Sequence, residues 1–296
     1  EWINVIRSKV RNGAQPPNEF IVLDHFLHDL RLYKSKKEIQ IMKKAGRISA
    51  EAHIAAMKAC TAGMMEYQLE GVYLQQFIQH GCRSPAYPSI VGGGANACTL
   101  HYIDNDQELM SGDLVLVDAG CEYQYYAGDV TRTYPVNGSY SKEQRALYEI
   151  VLEAQFAAIA QVRPGNHWDQ PHQAAVEVIT QGLLDLGILK GRLSTLLKKE
   201  AYKPFYMHKT GHWLGIDVHD VGEYKVGDEW RMLEPGMTLT VEPGIYIPPG
   251  AKNVARKWQG IGIRIEDNAL VTKEGCELMT DKAPRAIEDI EQLMSK

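Results

Sequence analysis

Asp118, Asp129, His212, Glu242 and Glu266 are four carboxylates and one imidazole, and each lies in or beside a short β-like run. The runs are LVLVDAG around Asp118, YAGDVTRTY around Asp129, HWLGIDVHD from His212, TLTVEPG around Glu242 and GIGIRIED around Glu266. Any one of the 37 acidic residues would by default face solvent. A carboxylate that follows a strongly apolar strand is different, because a charge there is seldom buried without a partner or a metal; Glu242 and Glu266 are the clearest cases. A hairpin centred near Tyr123 and Gln124 would set Asp118 opposite Asp129, and directly opposed residues of an antiparallel pair lie within about 5 Å at Cβ. A cation between two such anions removes their repulsion, and two divalent ions roughly 3.5 to 4 Å apart bridged by carboxylates form a recurring hydrolytic centre.

The elements that must position these groups follow from pattern. Ser35-Lys36-Lys37-Glu38 has the form of a capping box, and Ile39, Met42, Ala45, Ile48 and Ala52 then recur at helical spacing. A second helix is expected from Tyr67 to His80, stopping at Gly81, with β-like stretches following as far as Tyr134. Ser141 with Gln144 offers another capping box for a helix to about Val162, and a further helix is expected over Pro171 to Leu186. Strands are expected again from Gly211 to Thr272. Two successive helix, helix and strand units suggest a duplicated α+β architecture, without evident sequence identity between the halves. Within one strand, Arg264 and Glu266 share a face, away from Ile261, Ile263 and Ile265. His212 and His219 are an odd number of positions apart, so a bend near Gly215 is required for them to face together.

The segments VDAGCEYQYYAGDVTRTYPVNG, GHWLGIDVHDVG, LEPGMTLTVEPGIYIP and GIGIRIEDNALVT, in that order, resemble the metallopeptidases that include Xaa-Pro aminopeptidases, prolidases and methionine aminopeptidases, the bacterial Xaa-Pro aminopeptidases above all. The similarity covers roughly residues 35 to 285. It implies the pita-bread (creatinase/aminopeptidase) fold, two helix-helix-strand halves around a curved antiparallel sheet with the metals on its concave face. It also implies Asp118 on one ion, Asp129 and Glu266 bridging, and His212 with Glu242 on the second. His101, His208 and His219 match positions that line the pocket, orient the carbonyl and stabilise the tetrahedral intermediate, His219 being the best placed for that electrophilic role. Glu242 is the expected proton carrier. Tyr246 is expected at the pocket edge, and Arg264 is expected to hold a ligand or substrate carboxylate, an ion pair being the plainer of its roles. His25, His28, His53, His80, His167 and His172 carry no such context. Substrates with proline at the second position are implied by resemblance alone; the bond before proline is a tertiary amide with no N–H and a fixed φ, which ordinary aminopeptidase pockets fit poorly.

A carboxylate-rich set with one imidazole favours Mn(II), with Co(II), Fe(II) or Zn(II) as alternatives, over thiolate-preferring ions. Two such ions acidify water toward hydroxide near neutral pH, supplying a nucleophile for a scissile carbonyl. The nearest rival is a prolidase, which shares the five ligands and cuts only dipeptides. Methionine aminopeptidase is disfavoured by the Trp213-to-Asp220 pattern, creatinase because it uses the fold without metals, and a non-catalytic binding module because all five ligand positions are filled.

Composition fits these expectations. The chain of 296 residues is 45% hydrophobic and 23% charged, ordinary for a protein with a sizeable core. Of its formal charge of −5, four acidic residues are the proposed ligands, leaving 33 against 32 Lys plus Arg. No basic stripe supports a nucleic-acid partner, and no apolar run approaches the roughly 20 residues needed to cross a bilayer. Cysteines 60, 82, 98, 121 and 276 are odd in number and widely spaced, which suits reduced thiols in the cytoplasm. Gly92-Gly93-Gly94 lacks a following Gly-Lys-Ser/Thr and is expected to be a flexible loop near the pocket rather than a phosphate cradle. Residues 1–34 read as the tail of an N-terminal domain plus linker, with a short helix over residues 2–11, a loop at Gly13 to Asn18 and an apolar segment from Phe20 to Leu32; residues 35–296 read as the catalytic domain. In the family, the N-terminal domain supports assembly, so a homo-oligomer is expected.

Overall fold

The computed structural model describes residues 1–10 and 21–295, so the loop expected at Gly13 to Asn18 and the start of the apolar segment at Phe20 lie outside the described residues. The first expected helix is α1 (Trp2–Lys9), and the apolar segment contains α2 (Asp24–Leu32). Helix α3 (Lys36–Ala59) opens with the capping box read from Ser35: the Ser35 N–H donates to Glu38 Oε2 at 2.7 Å and the Glu38 N–H to Ser35 Oγ at 3.4 Å. Its stripe buries Met42, Ala45, Ile48 and Ala52. Helix α4 (Glu66–Gln79) begins one residue before the expected start.

Strands β1 (Ile90–Gly93), β2 (Leu114–Asp118), β3 (Glu122–Tyr123), β4 (Tyr126–Ala127) and β5 (Thr131–Pro135) follow. An antiparallel sheet runs β1-β2-β5, and β3 pairs with β4. The glycine cluster is not a loose loop: Gly92 and Gly93 end β1, and Gly94–Cys98 form a 3-10 turn folded back against the strand. A Cβ on Gly92 would lie 3.0 Å from the Ala97 nitrogen, which is why a side chain is missing there. The hairpin register also differs from expectation. Asp118 pairs with Thr131, not Asp129, because the turn residues are Gln124 and Tyr125, with φ of 49° and 71°. Two non-glycine residues in left-handed conformation leave no Asn-Gly signature to centre the turn by.

In the second half, Ser141 and Gln144 close the capping box of α5 (Lys142–Gln161), followed by α6 (Gln170–Asp185) and α7 (Leu193–Lys198). The stretch expected to be extended from Gly211 holds no strand before the small hairpin β6 (Lys225–Val226) and β7 (Glu229–Trp230), only a bridge from Trp213 to Leu239. Strands β8 (Thr238–Val241), β9 (Gly244–Ile247), β10 (Ile261–Arg264), β11 (Asp267–Val271) and β12 (Cys276–Leu278) then form an antiparallel β12-β11-β8 sheet and a β10-β9 pair, and α8 (Ile287–Met294) ends the chain's ordered elements.

The halves meet along β5 and β10. The Glu266 N–H donates to Thr131 O at 3.0 Å, and Thr133 Oγ1 donates to Arg264 O at 3.0 Å. Behind this seam the fully buried Arg132 guanidinium donates to Asp267 Oδ1 at 2.8 Å and to the Glu266 carbonyl at 2.6 Å. One continuous apolar core, including Leu147, Val151, Ala154 and Ala158 of α5 with Ile263 and Val241, backs the strands from which the acidic groups project. Among the described residues no helix is long and apolar enough to cross a membrane.

Candidate metal centre

Strand ends deliver four of the five proposed ligands. Asp118 is the last residue of β2, Asp129 stands between β4 and β5, Glu242 follows β8 and Glu266 fills the step between β10 and β11. His212 belongs to the strandless segment, held beside β8 by a Thr240 N–H to His212 O bond of 3.0 Å and a His212 N–H to Thr240 Oγ1 bond of 3.1 Å. All five line one cavity of about 600 Å³, together with His101, His208, His219 and Arg264. The odd spacing of His212 and His219 is resolved by the expected bend, where the Gly215 N–H turns to Asp217 O at 3.1 Å; the two rings end edge to face, 4.3 Å apart.

Within the cavity, Asp129, His212 and Glu266 each offer one donor atom inside a set whose members all lie within 4.8 Å of one another, the only such group among the described residues. His212 Nε2 lies 3.3 Å from Asp129 Oδ2 and 3.6 Å from Glu242 Oε1. Its Nδ1 faces the Trp213 carbonyl at 2.9 Å. A carbonyl only accepts, so Nδ1 keeps its hydrogen and Nε2 is the atom available to a cation. Asp118 stands apart from this trio, paired through Oδ2 with Arg264 Nη2 at 2.7 Å. Tyr87 joins the two aspartates, its hydroxyl lying 2.6 Å from Asp118 Oδ1 and 2.6 Å from Asp129 Oδ1.

Electrostatics show what the cluster lacks. Burial, then the neighbouring charges of Asp129, Glu242 and Asp118, holds Glu266 well above the usual carboxylate range. Burial also pushes Glu242 up to about 7, and raises Asp118 against the pull of Arg264. Burial works to raise Asp129 as well, but its hydrogen bond to His212 holds it below its ordinary value. Burial opposes charge on His212 too, yet Asp129 and Glu242 carry it up to about 9. Four carboxylates share one guanidinium and one imidazole, and the deficit is positive charge. Oxygen donors with one imidazole, short of positive charge, fit a divalent cation.

One expected pocket residue is placed differently. Tyr246 is fully buried and lies behind the wall rather than at the edge: its hydroxyl accepts from Arg264 Nη1 at 3.0 Å and lies 2.8 Å from His208 Nε2. His208 Nδ1 meets the Lys209 carbonyl at 2.7 Å, so Nδ1 bears the hydrogen and Nε2 accepts from Tyr246. Both His208 nitrogens are thus engaged by protein atoms, and burial lowers its pKa to about 3. His219 and His101 line the cavity, His101 at its exposed rim. Several supporting groups carry no sequence signal of their own. Tyr87 sits in an irregular Ser-Pro-Ala-Tyr-Pro stretch. Asn268 cradles Asp129, accepting from its N–H at 3.0 Å and donating to its carbonyl. Thr131 donates to Glu266 Oε2 at 2.6 Å and accepts from Arg264 Nε at 3.1 Å; its place two residues beyond Asp129 is the one clue that alternation could have supplied.

A model of metallopeptidase family M24 matches residues 40–273. A Xaa-Pro aminopeptidase of Haemophilus influenzae is 52% identical over 269 residues, covering 91% of this chain and 62% of the relative. The solved Pseudomonas aeruginosa aminopeptidase PepP is 58% identical with a TM-score of 0.97, covering 99% of this chain and 66% of that one. Escherichia coli aminopeptidase P, solved with the inhibitor Pro-Leu, is 47% identical with a TM-score of 0.95 and the same coverage. The chain thus spans somewhat less than two thirds of the length of these relatives. The duplicated α+β architecture is the pita-bread fold, and the chain belongs to metallopeptidase family M24.

Proposed function

We propose that this chain is the catalytic part of a Xaa-Pro aminopeptidase, which hydrolyses the bond between an N-terminal residue and a following proline. The observation that carries the proposal is the convergence of Asp129, His212 and Glu266 donor atoms within 4.8 Å, in a cavity that Asp118 and Glu242 also line. The names of the relatives supply the substrate class, and an aminopeptidase P solved with Pro-Leu agrees with it. In this reading Asp118, Asp129, His212, Glu242 and Glu266 would hold two divalent ions, Mn(II) first among them. When bound, such ions supply Lewis acidity that acidifies water and polarises a carbonyl.

The chain's own groups do the rest. Glu242 lies half-buried beside His212, on the cavity wall, and is suited to take a proton from the attacking water and deliver it to the departing proline nitrogen. His219 lines the cavity, with its pKa lowered by burial and then by the nearby His212, and is suited to offer a hydrogen bond to the oxygen on which charge develops. His101 at the rim contacts the bound peptide. Arg264 fixes Asp118 and, through Tyr246, the ring of His208; Tyr246 shapes the site from behind, while Arg264 and His208 line the cavity. We place the domain boundary at 34/35, supported by the Ser35 capping box and a family match that begins at residue 40. The odd number and wide spacing of the cysteines support a cytoplasmic setting, and a homo-oligomer accords with the resemblance.

The test is metal-dependent release of the first residue from a matched Xaa-Pro dipeptide and Xaa-Pro-Xaa tripeptide by the full-length protein, with Asp129→Ala as control. Tripeptide cleavage abolished in the control supports the proposal. Cleavage of the dipeptide alone makes the enzyme a prolidase, and failure to bind metal overturns the mechanism.

A further inference from the structure

We infer that Glu66, a residue outside the metal cluster, is a positioning residue that holds the substrate-facing rim of the cavity in place. Glu66 is the first residue of α4 and is fully buried. Its two oxygens accept four hydrogen bonds, all from the segment that carries the rim. Oε1 takes the Gly93 N–H at 2.7 Å and Asn96 Nδ2 at 3.1 Å, at the start of that segment. Oε2 takes the Tyr102 hydroxyl at 2.7 Å and the Gln107 N–H at 3.0 Å, near its end. Between these anchors lie Leu100, His101 and Ile103, all three lining the cavity, with His101 and Ile103 exposed.

The segment has few other means of holding its shape. From Thr99 to Asp104 it contains no strand or helix, so its backbone is fixed by side chains rather than by a ladder. Asn105 supplies a second tie, accepting from the Val91 N–H at 2.9 Å and donating to the Ser89 carbonyl at 2.9 Å. Glu66 is the side chain whose hydrogen bonds span both ends, from residue 93 to residue 107. Removing it frees the rim without touching any proposed metal ligand. The inference rests on the proposed aminopeptidase reading for the statement that the rim meets substrate; the claim that Glu66 orders the rim does not.

The experiment uses full-length protein, Glu66→Gln and, as a milder change, Tyr102→Phe. An amide at residue 66 can still accept the two bonds at Oε1, but its NH2 cannot accept from the Gln107 N–H, so half the clamp is lost at constant shape. The expected result is faster hydrogen exchange over residues 99–104 with metal content unchanged. For a Xaa-Pro-Xaa tripeptide, KM rises by about tenfold while kcat stays within about twofold, the mark of lost substrate positioning. Tyr102→Phe shifts both readouts in the same direction and by less. Unchanged exchange over 99–104 in both variants overturns the inference, as does an unchanged KM in both with only a lower Tm. A wild-type protein that binds metal but cleaves no such peptide sinks the aminopeptidase reading, while the exchange result still decides whether Glu66 orders the rim.

Discussion

His53 lies deep in α3 and sets an acid limit on the fold. Its Nε2 meets the Ala119 carbonyl at 3.1 Å, one residue beyond Asp118, and its Nδ1 meets the Tyr73 hydroxyl at 3.0 Å. The carbonyl requires a hydrogen on Nε2, so Nδ1 accepts from Tyr73 and the ring is neutral. Burial, with the nearby Arg132 charge, lowers its pKa from the ordinary 6.5 to about 3. Between those two values the unfolded chain binds the proton and the folded chain does not. Stability is therefore full above about pH 6.5 and is lost as pH falls toward 3. At pH 5 the loss from this group is about 2 kcal/mol relative to pH 7, and at pH 4 about 3 kcal/mol. For a chain of this size that is a fall in Tm of about 3 °C between pH 7 and pH 5. The assay is thermal unfolding of wild type and His53→Gln across this range, both saturated with the same divalent ion. Groups common to the two proteins cancel in the difference. The variant starts lower at pH 7, since Tyr73 loses its acceptor, but its Tm declines less steeply with acid. Parallel profiles for the two proteins would refute the argument.

Four further substitutions have outcomes that follow from the site and its surroundings. Gly120→Ala places a Cβ 1.8 Å from the Gly128 carbonyl oxygen, backbone against backbone, and is expected to cost about 3 kcal/mol or more by chemical denaturation; Gly71→Ala, in α4 with nothing within 4 Å, is expected to gain up to about 1 kcal/mol. Arg264→Met leaves half-buried Asp118 without its 2.7 Å partner, costing about 1.5 to 3 kcal/mol in chelator and distinctly less with divalent ion present; equal losses in the two conditions, read by thermal unfolding, would show that no cation shares the charge of Asp118. Glu242→Gln with metal content retained is expected to lower kcat by about 10² to 10⁴, whereas full turnover removes Glu242 from the proton path.

Why the ligand positions could be read from sequence, while their supports could not, is a matter of chemical choice. Binding a hard cation in an apolar setting admits few side chains, so a carboxylate after TLTV or beside IGIR stands out against its neighbours. The helices that frame the site were legible for a similar reason: Ser35 with Glu38 and Ser141 with Gln144 make reciprocal backbone bonds that few other pairs can make. Register was harder. Gln124 and Tyr125 adopt left-handed turn geometry that their residue types do not advertise, so Asp118 came to be matched with Asp129 instead of Thr131. The supports are harder still, because a hydrogen bond can be supplied by many residues from many places. Tyr87 reaches both aspartates from 31 and 42 positions away, and Glu66 meets the rim from a helix start that looks like any acidic first turn. Tyr246 shows the same limit from the other side: its motif, EPGIYIP, marks it as belonging to the site, yet only the alternation of β9 against β10, with Gly262 opposite it, turns it away from the cavity and toward Arg264 and His208. A residue's type constrains what it can do, but depth relative to the cavity decides whether it acts on substrate or on the groups that do.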